Sequence, residues 1–316
     1  MNELLLKDNI TQITAKAPAT LSNLAIGFDI LGVALQSPHD QITLKKRPDS
    51  KLVIQEIQSP SRLPYNIEKN TATIALRSLL SAFNITIGFD VYINKGIACG
   101  SGMGGSAASA VAALTAANGF LAQPVPLQTL LTHASEAEKI TSGAAHCDNA
   151  APCLFGGLIL CHDATQTIPL PTPSGKLIIT KPNISISTRK ARKLLPKSVP
   201  LDKITQQHFH LANWINALHL QDTIAIASHM VDLIIEPQRQ DLWPHYAAIK
   251  KIAANAGALT SCMSGSGPAV VSWVAEDKLQ TVQNAIEDHC QQQDYQYQIW
   301  VSSWSATGAY IEDKPT

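Results

Sequence analysis

Apolar residues come in short, strand-length runs through the first part of the chain and at helical spacing through much of the rest. Residues 10–17 read as a strand ended by Pro18, and residues 41–46 and 52–57 as two more, punctuated by Pro48 and Pro60. From Asn70 to Phe83 the positions Ala72, Ala75, Leu76, Leu79, Leu80 and Phe83 repeat at helical spacing behind Asn70, a cap-forming residue. Phe89–Ile93 is a strand that delivers the chain into residues 95–117, KGIACGSGMGGSAASAVAALTAA. There, glycines at 96, 100, 102, 104 and 105 give way to an uncharged, alanine-rich helix, with Ser106 at its capping position and Gly119 as its C-cap. A second helix over residues 127–140 carries Glu136 and Glu138, and residues 143–157, GAAHCDNAAPCLFGG, form a polar, glycine-rich loop.

A strand at 157–161 leads to Pro169, Pro171, Pro173 and Gly175, the clearest boundary in the chain, which divides it into residues 1–168 and 169–316. Beyond it, residues 177–180 read as a strand, and Arg189, Arg192 and Lys193 share a helical face. Two helices span 204–232, with Asp222 capping the second, and Arg239 sits in a proline-bounded turn. Residues 246–255 form a helix capped by Gly257, and a strand at 258–262 enters a second glycine loop, MSGSGPAV, at 263–270. A strand at 270–274, a helix at 277–291 and strands near 298–301 and 306–310 complete the pattern. The fold class is α+β; the second half orders its elements as an α/β plait whose last strands can pack back on the first domain.

Composition narrows the function. With 316 residues, 45% hydrophobic and 15% charged, the chain has ample core for two domains. Its 24 basic and 24 acidic residues cancel, so no bulk field draws it to nucleic acid or an anionic membrane. The six cysteines form no C-x-x-C pair and read as free thiols of a reducing compartment; Cys147, Cys153 and Cys161 lie near His146 and His162 but match no zinc spacing. The N-terminus lacks the basic start and apolar core of a signal peptide, and the run from Ser106 to Ala122 falls short of a membrane span, so the expectation is a soluble, cytoplasmic protein.

The glycine loop is the strongest chemical signal. Glycine lets backbone N–H groups approach a ligand, and the N-terminus of the helix behind it favours an anion, by default a phosphate. A P-loop would need a lysine beside the helix start, and none follows Lys95 until Lys139. Gly100, Gly102 and Gly105 satisfy G-x-G-x-x-G, but no acid stands between Val91 and Ser135 to hold a ribose.

The run GSGMGGSAAS before a small-residue helix resembles the G-L-G-S-S-A-A loop of the GHMP kinases. Residues 17–35, APATLSNLAIGFDILGVAL, resemble the P-A-T-S-A-N-L-G-P-G-F-D-x-L-G-x-A-L signature of the branch that phosphorylates homoserine. They depart from it at Leu21 for Ser, Ser22 for Ala and Ala25-Ile26 for Gly-Pro. The loop at 143–157 resembles the G-x-x-H-x-D-N-x-A-P-x-x-F-G-G run of that branch, and residues 182–196, 234–246 and 261–270 carry further matches in order.

The resemblance implies a two-domain GHMP kinase fold, with an N-terminal domain like domain 2 of ribosomal protein S5 and a ferredoxin-like C-terminal plait. It implies transfer of the γ-phosphoryl of ATP to the side-chain hydroxyl of L-homoserine in threonine biosynthesis, with no nucleic-acid or membrane partner and a homodimer as a candidate assembly. Backbone groups from Gly100, Ser101, Gly102, Met103, Gly104, Gly105, Ser106 and Ala107 would cradle the ATP phosphates, with Ser106 and Glu138 on Mg²⁺. The branch usually has serine where Gly105 stands, so only Ser106 is carried over. Asp29, helped by Asn23, would meet the substrate's ammonium; Arg192 and Arg239 would meet its carboxylate, with Thr188 and Gly267 at the same end. His146 and Asn149 would orient the hydroxyl. Asn149 cannot act as a base, so no dedicated general base is expected unless Asp148 faces the hydroxyl. A mevalonate kinase, whose substrate has no ammonium, and a non-catalytic nucleotide sensor are the alternatives.

Overall fold

The computed structural model of the chain describes residues 6–7, 9–142, 146–243, 245–293 and 296–312. In the first half, β1 (Gln12–Ser22), β2 (Leu31–Arg47) and β3 (Leu52–Gln58) precede α1 (Thr71–Ala82) and β4 (Gly88–Lys95). Next come α2 (Gly105–Phe120), α3 (Leu127–Ser142), α4 (Ala150–Phe155), β5 (Leu158–Asp163) and β6 (Gln166–Leu170). The second half runs β7 (Lys176–Pro182), α5 (Thr188–Arg192), α6 (Leu201–Leu220), α7 (Thr223–His229), α8 (Glu236–Arg239), α9 (Tyr246–Asn255), β8 (Thr260–Met263), β9 (Val270–Val274), α10 (Leu279–Gln292), β10 (Tyr297–Ser303) and β11 (Tyr310–Ile311).

Seven strands form the first sheet in the order β11-β1-β2-β4-β3, with β5 on the start of β2 and β6 beyond it. The 17-residue β2 is its spine, pairing with β1 along its length, with β5 at 31–33 and with β4 at 40–47. The second sheet has the order β10-β7-β9-β8. In chain order that is fourth, first, third, second, the arrangement of a ferredoxin-like plait. β11 then returns to the first sheet, where Tyr310 and Ile311 lie opposite Lys16 and Ala15.

Helix α2 is apolar on every side and correspondingly buried over 13 of its 16 residues, packed on β1 and β2. Its alanines let the sheet approach closely. Gly119 belongs to this close approach and not to a cap: a Cβ there would press on Ile13 and Ile311, and the helix runs on to Phe120. Asn70 does cap α1, its side chain accepting from the Ala72 N–H at 3.1 Å, and Asp222 caps α7 through Ala225 at 3.0 Å.

Several expected elements end elsewhere. Pro18 does not end β1, because the register shifts between Pro18 and Thr20 and the irregularity absorbs the missing N–H. The expected loop at 143–157 contains a six-residue helix, α4. Residues 143–145 and the side chains of Ser142 and Arg189 lie outside the described residues. Of the expected strand at 306–310 only Tyr310 pairs, since Gly308 is pressed against the backbone of Leu154 and Gly156. Among the described residues no helix is long and apolar enough to cross a membrane.

One buried ion pair fixes the glycine loop to this frame. Strand alternation puts Asp40 of β2 and Lys95 of β4 on apolar faces, where their side chains are 0% and 3% exposed and ion-paired. Lys95 Nζ also donates to the Gly105 carbonyl at 2.6 Å and to Ser109 Oγ at 2.9 Å, while Asp40 Oδ1 accepts from the Ile97 N–H at 3.1 Å. Both ends of the loop are thereby tied to one pair of charges. Removing one partner strands the other, so Lys95→Met is expected to cost about 3–5 kcal/mol in denaturant unfolding. Asp40→Leu combined with Lys95→Met is expected to cost less than Lys95→Met alone; a larger loss would show that the pair is not the unit that matters.

Candidate active site

The glycine loop lies in a cleft between the two sheets. Its backbone needs glycine: Gly100, Gly102 and Gly104 have φ of 64°, 82° and 65°. Gly104 is the N-cap of α2 and supplies no side chain, so the first-turn N–H groups behind it keep the orphan character that suits an anion. Ser106 is therefore not a cap. Its hydroxyl meets Thr71 Oγ1 at 3.2 Å and also hydrogen-bonds the carboxyl of Glu138. Burial pushes Glu138 upward, against the pull of Ser106 and the charge of Lys95.

The C-terminal half holds this loop from the other side. Ser264 Oγ donates to the Gly102 carbonyl at 2.7 Å, the Ala269 N–H to Ser101 O at 3.3 Å, and the Gly265 N–H to Ser22 O at 3.2 Å. The second glycine loop thus pins the first.

Residues 23–29 form the opposite wall. Asn23, Leu24, Ala25 and Asp29 all have positive φ, between 47° and 71°, which is costly outside glycine. Asn23 holds the turn, accepting from the Asp29 N–H and donating to Gly265 O, each at 3.0 Å. Asp29 receives Arg192 in a bidentate pair at 2.7 and 3.1 Å, and His146 Nε2 lies 3.5 Å from its carboxylate. Arg239, 3% exposed, reaches Gly265 O at 3.2 Å. Both guanidiniums flank Phe28, at 5.7 Å and 5.1 Å from its ring centre. The Nε atoms of Arg192 and Arg239 are buried without a partner among the described residues.

Asp148 faces the cleft with no ion-pair partner among the described residues. Burial first, and the charge of Asp29 next, push its carboxyl up to about 7, with a Ser22 hydrogen bond opposing. Burial likewise lowers His146, against the raising effect of Asp29 and with the charge of Arg192.

Asn23, Asp29, Gly100, Ser101, Gly102, Gly104, Gly105, Ser106, Ala107, Glu138, His146, Asn149, Thr188, Arg192, Arg239 and Gly267 all line this one cleft. Met103 does not: its side chain is 1% exposed, its N–H is taken by Ser101 Oγ and its carbonyl by the Thr20 N–H. Motif reasoning missed the far end, lined by Leu63, Pro64, Lys69, Asn70, Thr71, Ile93 and Cys99. A partly apolar wall assembled from separate segments leaves no motif. Lys95 was legible in principle, as a charge on the buried alternation Val91, Ile93, Lys95.

A glycine loop at a helix N-terminus, clamped between a seven-stranded sheet and a ferredoxin-like plait, is the arrangement of a GHMP kinase. Residues 70–157 match the GHMP kinases N terminal domain and residues 214–292 the GHMP kinases C terminal domain. The chain is 37% identical to a homoserine kinase of Xanthomonas campestris pv. campestris over 84% of its length and 82% of that protein, and 34% identical to one of Chlorobaculum tepidum over 95% and 98%. The crystal structure of homoserine kinase from Cytophaga hutchinsonii superposes with a TM-score of 0.92 at 32% identity, covering 98% of this chain and 100% of that one. A mevalonate kinase of L. major, 16% identical, shares the fold with a TM-score of 0.71 over 96% of this chain and 98% of its own. The chain belongs to the homoserine kinase family.

The raised Asp148 has a thermodynamic signature. Its folded value of about 7 exceeds the ordinary 3.8, so the folded state binds the extra proton between those values. Stability from this group is fully present below 3.8 and is lost as pH rises through about 7. Asp148→Asn, which cannot ionise, is expected to be more stable than the parent by roughly 2–4 kcal/mol at pH 8, with the gap shrinking toward pH 4. A gap in thermal melts that does not vary with pH would contradict the assignment.

Proposed function

We propose that the chain transfers the γ-phosphoryl group of ATP to the side-chain hydroxyl of L-homoserine, giving O-phospho-L-homoserine and ADP. The carrying observation is the charge pattern of the cleft. Next to the phosphate loop stand two arginines with unpartnered Nε–H groups and two acids, Asp29 and Asp148. A zwitterion with a hydroxyl tail complements that set; a substrate without an ammonium leaves Asp148 uncompensated.

In this reading the backbone of residues 100–107, except Met103, faces the phosphates, and the end lined by Leu63, Pro64 and Ile93 takes the base. Arg239 and Arg192 receive the carboxylate, and Asp148 with Asp29 receives the ammonium. Ser106 and Glu138 present two hard oxygens side by side at the start of α2, a donor set that suits Mg²⁺ shared with phosphate, and a cation there would offset the burial of Glu138. Bound there, the ion would neutralise charge on the transferring group. Thr188, 3.4 Å from Ser266, and Gly267 close the acceptor end. A cytoplasmic enzyme fits the free thiols.

The hydroxyl oxygen attacks phosphorus in line, the bond to the ADP oxygen breaks, and the hydroxyl proton passes to an oxygen of the transferring phosphoryl group, and from there to water, as the new ester bond forms. Asn149 can donate to the reacting groups but cannot accept that proton, so positioning and charge neutralisation carry the step. One observation favours a second reading: an Asp148 carboxyl near 7 lies in the range of a general base. The kinetics of Asp148→Asn separate the two. An ammonium holder raises KM for homoserine with a modest change in kcat, whereas a base lowers kcat by about 10²–10⁴-fold.

ADP release measured with Mg·ATP and L-homoserine, mevalonate or no acceptor is expected to show turnover with homoserine alone. Tight ATP binding without turnover would point to a sensor instead. Arg239→Ala is expected to raise KM for homoserine by roughly 10–100-fold, the loss of a charge-assisted hydrogen bond, while KM for ATP holds.

A further inference from the structure

Thr20 of β1 is fully buried, 0% exposed, and its hydroxyl donates to Asn149 Oδ1 at 2.9 Å. The bond spans 129 residues of sequence, joining the sheet to the start of α4. Thr20 also touches the phosphate loop twice. Its N–H donates to the Met103 carbonyl at 3.2 Å, and a Cβ on Gly104 would overlap its hydroxyl. That same Cβ position lies 2.8 Å from Asn149 Oδ1. The Asn149 amide therefore sits against Gly104, the N-cap of α2, within the glycine loop.

An asparagine amide has two faces of opposite character, and its neighbours decide which one the cleft sees. With Oδ1 on Thr20, Nδ2 turns toward Asp148 Oδ1, 3.4 Å away. The flipped amide would set its oxygen against that carboxyl oxygen. Resting on the reading of Asn149 as a contact to the acceptor hydroxyl, we propose that Thr20 is a positioning residue: it holds the Asn149 amide with its NH₂ toward the reacting groups. Negative charge gathers on the transferring oxygens, so a donor there is productive, whereas an oxygen in its place repels them. Thr20 itself, behind Gly104, does not touch the substrate.

The test pairs kinetics with a readout that needs no substrate. Thr20→Val keeps the volume and removes the hydroxyl; Thr20→Ser restores it. Thr20→Val is expected to lower kcat by roughly 10–100-fold, the range for partners that orient a working group, with little change in either KM. Thr20→Ser is expected to recover most of that rate. In an Asn149→Ala background, Thr20→Val is expected to have no further effect, since the group it positions is gone. In selectively asparagine-labelled protein without ligands, the Asn149 side-chain amide resonance, identified by its loss in Asn149→Ala, is expected to shift or broaden in Thr20→Val and to return in Thr20→Ser. Thr20→Ala serves the same comparisons should the valine variant not fold. The proposal is overturned by an unmoved amide resonance, by equal rate losses with and without Asn149, or by a serine variant as slow as the valine one. Failure of the parent to phosphorylate homoserine would sink the proposed function, yet the amide resonance would still decide the role of Thr20.

Discussion

The site depends on the buried ion pair between Asp40 and Lys95. A loop with so many glycines has large conformational freedom, and its N–H groups can converge on an anion only if its ends are fixed. Lys95 holds the carbonyl of Gly105 at the start of α2, and Asp40 holds the N–H of Ile97 at the other end. Ser109, donating to Asp40, adds the first turns of the helix to the same network. An ion pair removed from water contributes little net stability, but its geometry is specific and breaking one half is costly. The second glycine loop completes the clamp from the plait through Ser264 and Gly265.

On that frame the cleft divides its charges by place. Ser106, Glu138 and the helix start lie on the side proposed for the phosphates; the two arginines, Asp29 and Asp148 lie on the side proposed for the acceptor. Asp29 is already satisfied by Arg192, so the acid left to be matched is Asp148. The expectation from sequence gave the ammonium to Asp29, helped by Asn23. Asn23 uses both functional groups of its amide on the turn, which makes it a keeper of the shape of the wall as well as a residue facing the cleft.

Much of this was legible in the chain because chemistry at a phosphate site is carried by backbone geometry, and backbone geometry is carried by glycine. Gly100, Gly102 and Gly104 adopt the positive φ that lets the loop turn its N–H groups inward. The departure at Ala25 also gains a physical meaning: it sits at φ 60°, where the signature it resembles has glycine, so the alanine carries about 1 kcal/mol of local strain that a glycine would avoid. What stayed hidden depends on contacts across long sequence distances. No local pattern tells that Pro18 rides through a strand irregularity, that Thr20 reaches Asn149, or that Asp148 is buried beside a second acid. Capping rules read Ser106 as a helix cap, whereas Gly104 takes that place and frees the hydroxyl for Glu138.

In the proposed reading the acceptor end recognises both ionic groups of one small molecule beside a phosphoryl donor. Comparing kcat/KM for L-homoserine with 4-hydroxybutanoate, which lacks the ammonium, and 3-aminopropan-1-ol, which lacks the carboxylate, tests it most directly. Each deletion leaves buried charged groups unpaired, so both analogues are expected to fall by about 10⁴-fold or more. An analogue phosphorylated within about tenfold of homoserine would contradict the account, because the group it lacks would then have no partner in the cleft.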